Sequence, residues 1–279
     1  MEFRTVSHEG RNYVLSHAGE GPDIVLLHGF PDTPYSWSKI EATLVDAGWR
    51  VTVPWLRGYH PETIVPGRRY DAKALGNDVL GLLDALGISR TVIFGHDWGA
   101  LETYVAAALA PERVRAIVIS DIPHPSLLER TPKALWSVRH FLGLKLPWAA
   151  WTCRRRDFAY LDRLYRRWAP AWSGPEREES LRLAKEALSS PATLNGAIHY
   201  YRDLSLGGSP AAERVPKVPG LIIAGEHSIG EPRQFERTAE LLPAPSRALI
   251  VSGAGHWPHR ENEALVVPEV LGFLNEVPA

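Results

Sequence analysis

The stretch Gly95-His96-Asp97-Trp98-Gly99 decides the fold of this chain. It follows the apolar run 91–94 and precedes the helix-forming segment 100–108. A strand, a turn with glycines two residues before and after its centre, and then a helix form an elbow that lifts the central side chain above the sheet edge. Because that side chain stands at a helix N-terminus on the edge where sites form, Asp97 is the first candidate for function.

An aspartate at the centre of the elbow predicts a particular chemistry. A carboxylate is an anion at neutral pH and needs no base before it attacks. It can displace a leaving group at a saturated carbon and form an alkyl ester, which water can hydrolyse. A serine at this position would form an ether, which resists hydrolysis. Asp97 is therefore predicted to be the nucleophile of a two-step hydrolysis.

The composition is that of an ordinary globular protein. Of 279 residues, 45% are hydrophobic and 23% are charged,. The 31 basic and 32 acidic residues balance, so neither a nucleic acid nor a membrane is expected as a partner,. The sequence shows no signal-peptide pattern and no apolar run of about 18 residues. With the single cysteine Cys153, expected to pack as a small hydrophobe, this predicts a cytoplasmic protein,.

Apolar runs alternate with helical patterns along most of the chain. The first twenty residues predict a hairpin that turns at Glu9-Gly10. Strands are predicted at 24–27, 50–54, 114–120, 218–224 and 247–251, and helices at 35–47, 71–86, about 232–242 and about 261–276,. This alternation predicts a mostly parallel sheet with helices on both faces.

The alternation breaks after Ile122-Pro123-His124-Pro125. Residues 126–212 are helical, aromatic and basic, which predicts a helical cap inserted into a core made of residues 1–125 and 213–279. Because sites in open α/β sheets lie at the carboxyl ends of the strands, we expect this cap to cover Asp97.

Basic residues cluster in the predicted cap. They could bind an anionic substrate or a membrane, but a solvated helix face, paired partly with Asp157 and Asp162, is the favoured interpretation. The cluster consists of Arg154, Arg155, Arg156, Arg163, Arg166 and Arg167.

Four motifs occur in order along the chain. They are His28-Gly29-Phe30-Pro31, the elbow, Asp121 at a strand end, and Gly253-Ala254-Gly255-His256-Trp257-Pro258. Taken together, they resemble the α/β-hydrolase superfamily, in the aspartate-nucleophile branch of epoxide hydrolases and haloalkane dehalogenases. The resemblance covers nearly the whole chain. It implies an eight-stranded, mostly parallel sheet flanked by helices, an inserted helical cap, and no metal or cofactor.

The resemblance also implies roles for the loops at the sheet edge. The backbone N–H groups of Phe30 and Trp98 would form an oxyanion hole, and the peptide bond before Pro31 is often cis in the family. Two fixed donors stabilise a tetrahedral intermediate, and losing one costs roughly 10²–10³ in rate. His256 follows the nucleophile in the family's chain order and would activate water against the ester. His259 is expected to be a solvent-exposed neighbour.

The acid that orients His256 has two candidates. Many family members carry aspartate after the strand that follows the cap, but the corresponding residues here are Gly225-Glu226-His227-Ser228. Asp121 occupies the alternative position, 24 residues after Asp97. We favour Asp121 over Glu226.

Epoxide hydrolases open the ring with hydroxyl donors from the cap. The pair Tyr201-Arg202 resembles the end of the family's late cap motif, so Tyr201 is the expected donor, with Tyr200 as the fallback. A second donor, tyrosine or sometimes histidine, lies earlier in the cap. His140 matches best, and Tyr160 and Tyr165 are competitors.

These residues predict an epoxide hydrolase that acts on a small apolar epoxide and water, as a monomer or homodimer. Phe30 lacks the side-chain donor that dehalogenases often carry there, which disfavours a haloalkane dehalogenase. A third alternative is a non-catalytic ligand-binding protein, whose ester would stall if Asp121 failed to reach His256. The expected substrate pocket consists of His28, Pro31, Trp37, Phe141, Tyr200 and Trp257.

Overall fold

A computed structural model describes residues 1–65, 67, 69–128, 131, 136, 139–205 and 208–277. Within these residues, eight strands form one sheet in the order β1-β2-β4-β3-β5-β6-β7-β8. They are β1 (Arg4–His8), β2 (Arg11–Ala18), β3 (Asp23–Leu27), β4 (Arg50–Pro54), β5 (Thr91–His96), β6 (Val114–Ser120), β7 (Gly220–Gly225) and β8 (Arg247–Val251). Only β2 pairs antiparallel with its neighbours, β1 and β4, so the predicted mostly parallel sheet is confirmed.

Helices surround and interrupt this sheet. Those of the core are α1 (Ser38–Asp46), α2 (Ala72–Leu86), α3 (Trp98–Leu109), α9 (Pro232–Leu241), α10 (Pro258–Glu261) and α11 (Glu263–Glu276). Between β6 and β7 the chain forms α4 (Arg139–Lys145), α5 (Ala149–Trp168), α6 (Pro175–Ala187), α7 (Pro191–Asp203) and α8 (Pro210–Glu213). The described part of this insertion is helical, as its composition predicts.

Two hydrophobic cores lie on the two faces of the sheet. Successive side chains of a strand point to opposite faces. Val25 and Leu27 of β3 therefore enter one core, shared with α2, α3 and the inserted helices, whereas Ile24 and Leu26 enter the other, shared with α1 and α11. Burial on both faces explains why the parallel strands read as unbroken apolar runs.

Helix boundaries follow their capping residues. The predicted helix 35–47 begins as a 3-10 turn, Pro34–Trp37, and continues as α1. Helix α2 begins after Asp71, whose side chain accepts a hydrogen bond from the N–H of Ala74, and ends at Gly87 with left-handed φ,. The predicted last helix is divided at Asn262, which caps α11.

The inserted helices contact the core close to the elbow. Helix α5 bends at Arg155–Phe158, where the backbone leaves helical geometry, so its two halves run in different directions. In its second half, the hydroxyl of Tyr165 donates to the carbonyl of Pro31 at 3.0 Å. The carbonyl of Trp168 accepts from the N–H of His256 at 2.8 Å. These bonds hold α5 over the motifs singled out above.

None of the helices in the described part of the chain combines the length and the hydrophobicity that a bilayer-crossing segment requires.

Candidate active site

The elbow holds Asp97 in a backbone conformation that side chains rarely adopt. Its φ of 52° and ψ of −116° separate β5 from α3. A Cβ on Gly95 would overlap the carbonyl oxygen of Gly99, and a Cβ on Gly99 would overlap that of Leu27. The chain can therefore turn this sharply only with glycine at both positions. The strain is localised at the residue whose side chain is presented.

Two backbone N–H groups donate hydrogen bonds to the Asp97 carboxylate. The N–H of Phe30 donates to Oδ1 at 2.7 Å, and the N–H of Trp98 is the second backbone donor. The peptide bond between Phe30 and Pro31 is cis. Gly29 lies so close that a Cβ there would overlap Asp97. The side chain is buried, and burial raises the pKa of Asp97 to about 7 although both hydrogen bonds favour its ionised form,.

His256 faces the other oxygen of this carboxylate. Its Nε2 lies 3.6 Å from Oδ2 of Asp97, and its Nδ1 binds Oδ2 of Asp121. Burial lowers the pKa of His256 well below its ordinary value, which favours the neutral imidazole that can accept a proton,. The geometry is thus that of a base between a nucleophile and an orienting acid.

Asp121 reaches His256 because of its place in the sheet. It follows β6, the parallel neighbour of β5, and its N–H donates to the carbonyl of Ile223 on β7 at 2.8 Å. Its φ of 65° turns the side chain out of the strand direction. Glu226 instead accepts hydrogen bonds from Ser252 and Gly253 at the surface. The structure therefore brings Asp121, and not Glu226, to His256.

Tyr201 lies over the nucleophile. Its ring packs edge-on against Phe30 and Trp98, with centroids 5.3 and 5.0 Å away. Burial and then the charge of Asp97 raise the pKa of Tyr201 well above its ordinary value, so the phenol stays protonated within electrostatic reach of the carboxylate.

His140 lies beside Tyr201, with ring centroids 5.9 Å apart. Nη2 of Arg167 lies 3.4 Å from Nδ1 of His140. A guanidinium only donates hydrogen bonds, so Nδ1 accepts, and the proton of a neutral ring is on Nε2. His140 therefore retains an N–H donor. The structure brings together the two cap residues that were predicted to act as a pair.

Three other predicted pocket residues join this cluster. The ring of Phe141 lies 4.9 Å from that of Tyr201, and the ring of Trp257 lies 4.7 Å from that of His256. Pro31 joins it as the acceptor of the Tyr165 hydroxyl.

Tyr200 has a different environment from its neighbour. Its hydroxyl donates to Oε1 of Glu102 at 3.3 Å, beneath the ring of Trp98. Glu102 is buried, and burial raises its pKa to about 8. Since Tyr200 is committed to this carboxyl group, Tyr201 is the better placed of the two hydroxyls.

Two predictions differ from the structure. Trp37 belongs to the core on the opposite face from Tyr201, because the 3-10 turn packs its ring on Phe94. His259, expected to be exposed, is fully buried and stacks on Trp37 at 4.6 Å, so that prediction is wrong. The ring nitrogens of His28 contact backbone groups of Leu56 and Gly29, so this side chain supports the loops.

Of the two competing tyrosines, Tyr165 binds the core loop through Pro31, as described above. Tyr160 is partly buried, which raises its pKa to about 12, and it lies within electrostatic reach of Tyr201. Cys153 is fully buried, as expected, and burial raises its pKa to about 12.

Two buried polar residues near the site were missed. The hydroxyl of Tyr59 has no hydrogen-bond partner among the described residues, and the charge of Asp97 contributes to its raised pKa. Asp32 accepts from the indole N–H of Trp257 at 3.3 Å, and burial raises its pKa to about 6. Each follows a parallel strand at its carboxyl end, and that position is the signal that could have identified them.

Within the described ranges, no group of three or more histidine, cysteine, aspartate or glutamate side chains is arranged to hold a metal ion.

Comparisons with known proteins agree with this architecture. Residues 22–263 match the family described as "alpha/beta hydrolase fold". The chain is 30% identical to the AB hydrolase superfamily protein YfhM of Bacillus subtilis, over 91% of each chain. It is 29% identical to epoxide hydrolase A of Mycobacterium tuberculosis, over 97% of this chain and 96% of that one. The crystal structure of epoxide hydrolase A from Mycobacterium thermoresistibile superimposes with a TM-score of 0.79 at 27% identity, covering 99% of both chains.

The burial of Asp97 predicts a pH-dependent gain in stability for Asp97→Asn. An amide keeps an oxygen for the two backbone donors but carries no charge. The carboxyl pKa rises from 3.8 to about 7 on folding. Ionisation therefore begins to favour the unfolded chain above pH 4, and its full cost is reached above pH 7. We expect Asp97→Asn to raise the free energy of unfolding by on the order of 4 kcal/mol at pH 8, at about 1.4 kcal/mol per pKa unit.

Urea unfolding between pH 5 and pH 8 measures this gain, which should shrink as the pH falls. The control is Asp46→Asn, at an exposed carboxylate on α1. A gain that does not vary with pH, or an equal gain in the control, would contradict the explanation.

Proposed function

The chain belongs to the α/β-hydrolase family, and on that premise we propose that it is an epoxide hydrolase that forms a covalent ester at Asp97. The observation that carries this proposal is the unequal environment of the two carboxylate oxygens. Oδ1 accepts the backbone N–H of Phe30 at 2.7 Å, whereas Oδ2 faces Nε2 of His256 at 3.6 Å. One oxygen is thus placed to be an ester carbonyl and the other to attack.

In the first step, Oδ2 of Asp97 attacks a ring carbon of the epoxide. The carbon–oxygen bond of the ring breaks, and its electron pair goes to the departing oxygen. An alkoxide is a strong base and requires a proton donor. Tyr201 supplies the proton, and the N–H of His140 stabilises the oxygen. Their adjacency above Asp97 supports this assignment.

In the second step, His256 takes a proton from water, and the hydroxide adds to the ester carbon. The negative charge develops on Oδ1, to which the N–H of Phe30 already donates, and the N–H of Trp98 is the second backbone donor to this carboxylate,. Asp121 stabilises the imidazolium as it forms,. As the intermediate collapses, the carbon–oxygen bond to the alkyl group breaks, and the imidazolium of His256 protonates the leaving alkoxide, which completes the diol. The carboxyl group of Asp97 then gives its proton to the phenolate of Tyr201, which restores both side chains. No step requires a metal or cofactor.

A haloalkane dehalogenase is the second candidate, and one observation favours it. The indole N–H of Trp168 is buried without a hydrogen-bond partner among the described residues, and the side chain of Trp98 lies within hydrogen-bond reach of Tyr201. Two indole donors could hold a departing halide, which needs no proton. The contact between His256 and Asp121 argues against the third candidate, a binding protein with a stalled ester, because the hydrolytic base is oriented.

The cap domain, substrate class and location of the proposed enzyme follow from the same reasoning. We propose that residues 126–212 form its cap domain, since the helices between β6 and β7 carry Tyr201 and His140 over the core. The aromatic surroundings of Asp97 support a small apolar epoxide as substrate. The single cysteine supports a cytoplasmic location,. We also propose that the protein is a monomer or a homodimer.

A single-turnover experiment in H₂¹⁸O tests the proposal. The protein is mixed in excess with styrene oxide, and the peptide containing Asp97 is weighed by mass spectrometry. We expect ¹⁸O in the carboxylate, because water adds to the ester carbon and the alkyl oxygen leaves with the diol. Parallel incubation with brominated alkanes should release no bromide.

Asp97→Asn, verified to be free of deamidation, is the control and should form no diol. Diol production without label in the carboxylate would refute the covalent route. Bromide release without diol formation would instead establish the second candidate.

The orienting acid is tested with two isosteric variants. Asp121→Asn should leave ester formation largely intact but slow ester hydrolysis by about 10⁴, the loss seen when a triad histidine loses its acid,. Glu226→Gln is the matched control and should hydrolyse the ester at the wild-type rate. Rapid-quench measurement of the ester separates the two steps, and slower hydrolysis in the control instead would reassign the acid.

The ring-opening donor is tested on neighbouring tyrosines. Tyr201→Phe should slow ester formation by about 10²–10⁴, the range of general acid catalysis, and leave ester hydrolysis nearly unchanged. Tyr200→Phe loses a hydroxyl bound to Glu102, so it should lower stability more than the rate of ester formation. Stopped-flow tryptophan fluorescence follows both steps. Equal slowing of both steps by Tyr201→Phe would exclude the donor role.

A further inference from the structure

The corner between α4 and α5 exposes large apolar side chains. Within ten residues, Leu142, Leu146, Trp148 and Trp151 are 58%, 39%, 57% and 59% exposed. Leucine and tryptophan are usually much more buried than this, and an exposed apolar cluster marks an interaction surface. The corner therefore requires an explanation beyond the packing of the cap.

Helical geometry places cationic groups next to these side chains. Trp148 precedes the first residue of α5, and Trp151 lies one turn later on the same face,. Arg154 and Arg155 follow after a further turn, and the guanidinium of Arg155 lies 4.4 Å from the centre of the Trp151 ring. We call Leu142, Leu146, Trp148, Trp151, Arg154 and Arg155 the Trp–Arg face.

The surrounding segment is strongly basic. Residues 139–168 contain eight lysines and arginines and two aspartates, a formal charge of +6, whereas the whole chain carries −1. Both aspartates, Asp157 and Asp162, bind Lys185 of α6, at 3.0 and 3.1 Å. They therefore do not neutralise the arginines of this segment, contrary to the expectation of a paired, solvated helix face.

The combination of groups identifies the partner. A positive field requires an anionic surface, and exposed leucines require an apolar layer beneath it. Nucleic acid supplies phosphates but no apolar layer for Leu142 and Leu146. An anionic bilayer supplies both, because indole rings insert at the headgroup level while guanidinium groups bind phosphate.

We propose that the Trp–Arg face docks the protein peripherally onto anionic lipid bilayers. The same inserted helices also carry His140, Tyr165 and Trp168, which pack against the core beside the candidate site. Docking would therefore hold the inserted helices, which cover the candidate site, at the lipid bilayer into which apolar molecules partition. The docking itself does not depend on the proposed chemistry, and its test requires no turnover.

Vesicle co-sedimentation of the full chain tests docking. Wild-type protein should pellet with vesicles of phosphatidylcholine and phosphatidylglycerol, but not with phosphatidylcholine alone. High salt should release it. Arg154→Gln with Arg155→Gln should weaken partitioning by about 30-fold, from about 1 kcal/mol for each arginine. Trp148→Ala with Trp151→Ala should weaken it at every salt concentration.

Control substitutions remove matching groups from the core. Arg233 and Arg237 are exposed on α9, and Leu241 and Leu265 are each 40% exposed. Arg233→Gln with Arg237→Gln, and Leu241→Ala with Leu265→Ala, should bind vesicles like the wild type. Thermal unfolding monitors the fold of every variant.

Three outcomes would overturn the proposal. Wild-type protein could stay in the supernatant with both kinds of vesicle. The core controls could lose binding as much as the Trp–Arg variants, which would show unspecific attraction. Finally, sedimentation velocity could show a dimer that Trp148→Ala with Trp151→Ala dissociates, without vesicle binding. That result would assign the face to a second copy of the chain.

Discussion

The structure depends on holding a buried carboxylate that has no lysine or arginine beside it in the described part of the chain. Asp97 lies on an elbow with positive φ, and the backbone N–H groups of Phe30 and Trp98 donate to its carboxylate. These donors are fixed by the chain itself, so they do not reorganise when negative charge develops at this group. Burial still outweighs them, as the pKa of about 7 shows. A group that is costly to bury is thus kept where it can react.

The parallel sheet explains how distant residues reach this carboxylate. Asp97 follows β5, Asp121 follows its neighbour β6, and His256 follows β8, so all three leave the sheet at the carboxyl edge. At this edge, an acid after β6 and an acid after β7 both lie near the loop that carries the histidine. The fold therefore tolerates Ser228 where relatives of the resembled families often carry aspartate, because Asp121 supplies the contact.

Local signals predicted most of the fold, and tertiary packing decided what they left out. The glycines around Asp97 determine a turn, and the apolar runs determine strands, through residues that are close together in sequence. These features could therefore be predicted. By contrast, the side of the sheet on which Trp37 packs depends on a 3-10 turn and on His259, more than 200 positions away. Charge pairing is equally non-local, since Asp157 binds Lys185 of another helix instead of the arginines beside it. Contacts between residues that are far apart along the chain could not be predicted from the sequence.

The bend in α5 allows one helix to carry both the exposed Trp–Arg face and the buried surface that packs over His256. Arg156, Asp157 and Phe158 have φ values of 51°, 50° and 56°, a left-handed conformation that costs roughly 1–2 kcal/mol per residue,. Burial of Phe158 and the ion pair of Asp157 with Lys185 oppose that cost. Since a straight helix of this length would keep one direction throughout, the bend separates the half bearing the Trp–Arg face from the half that packs over His256. The strained residues of α5 therefore lie between the half that bears the Trp–Arg face and the half that covers the candidate site.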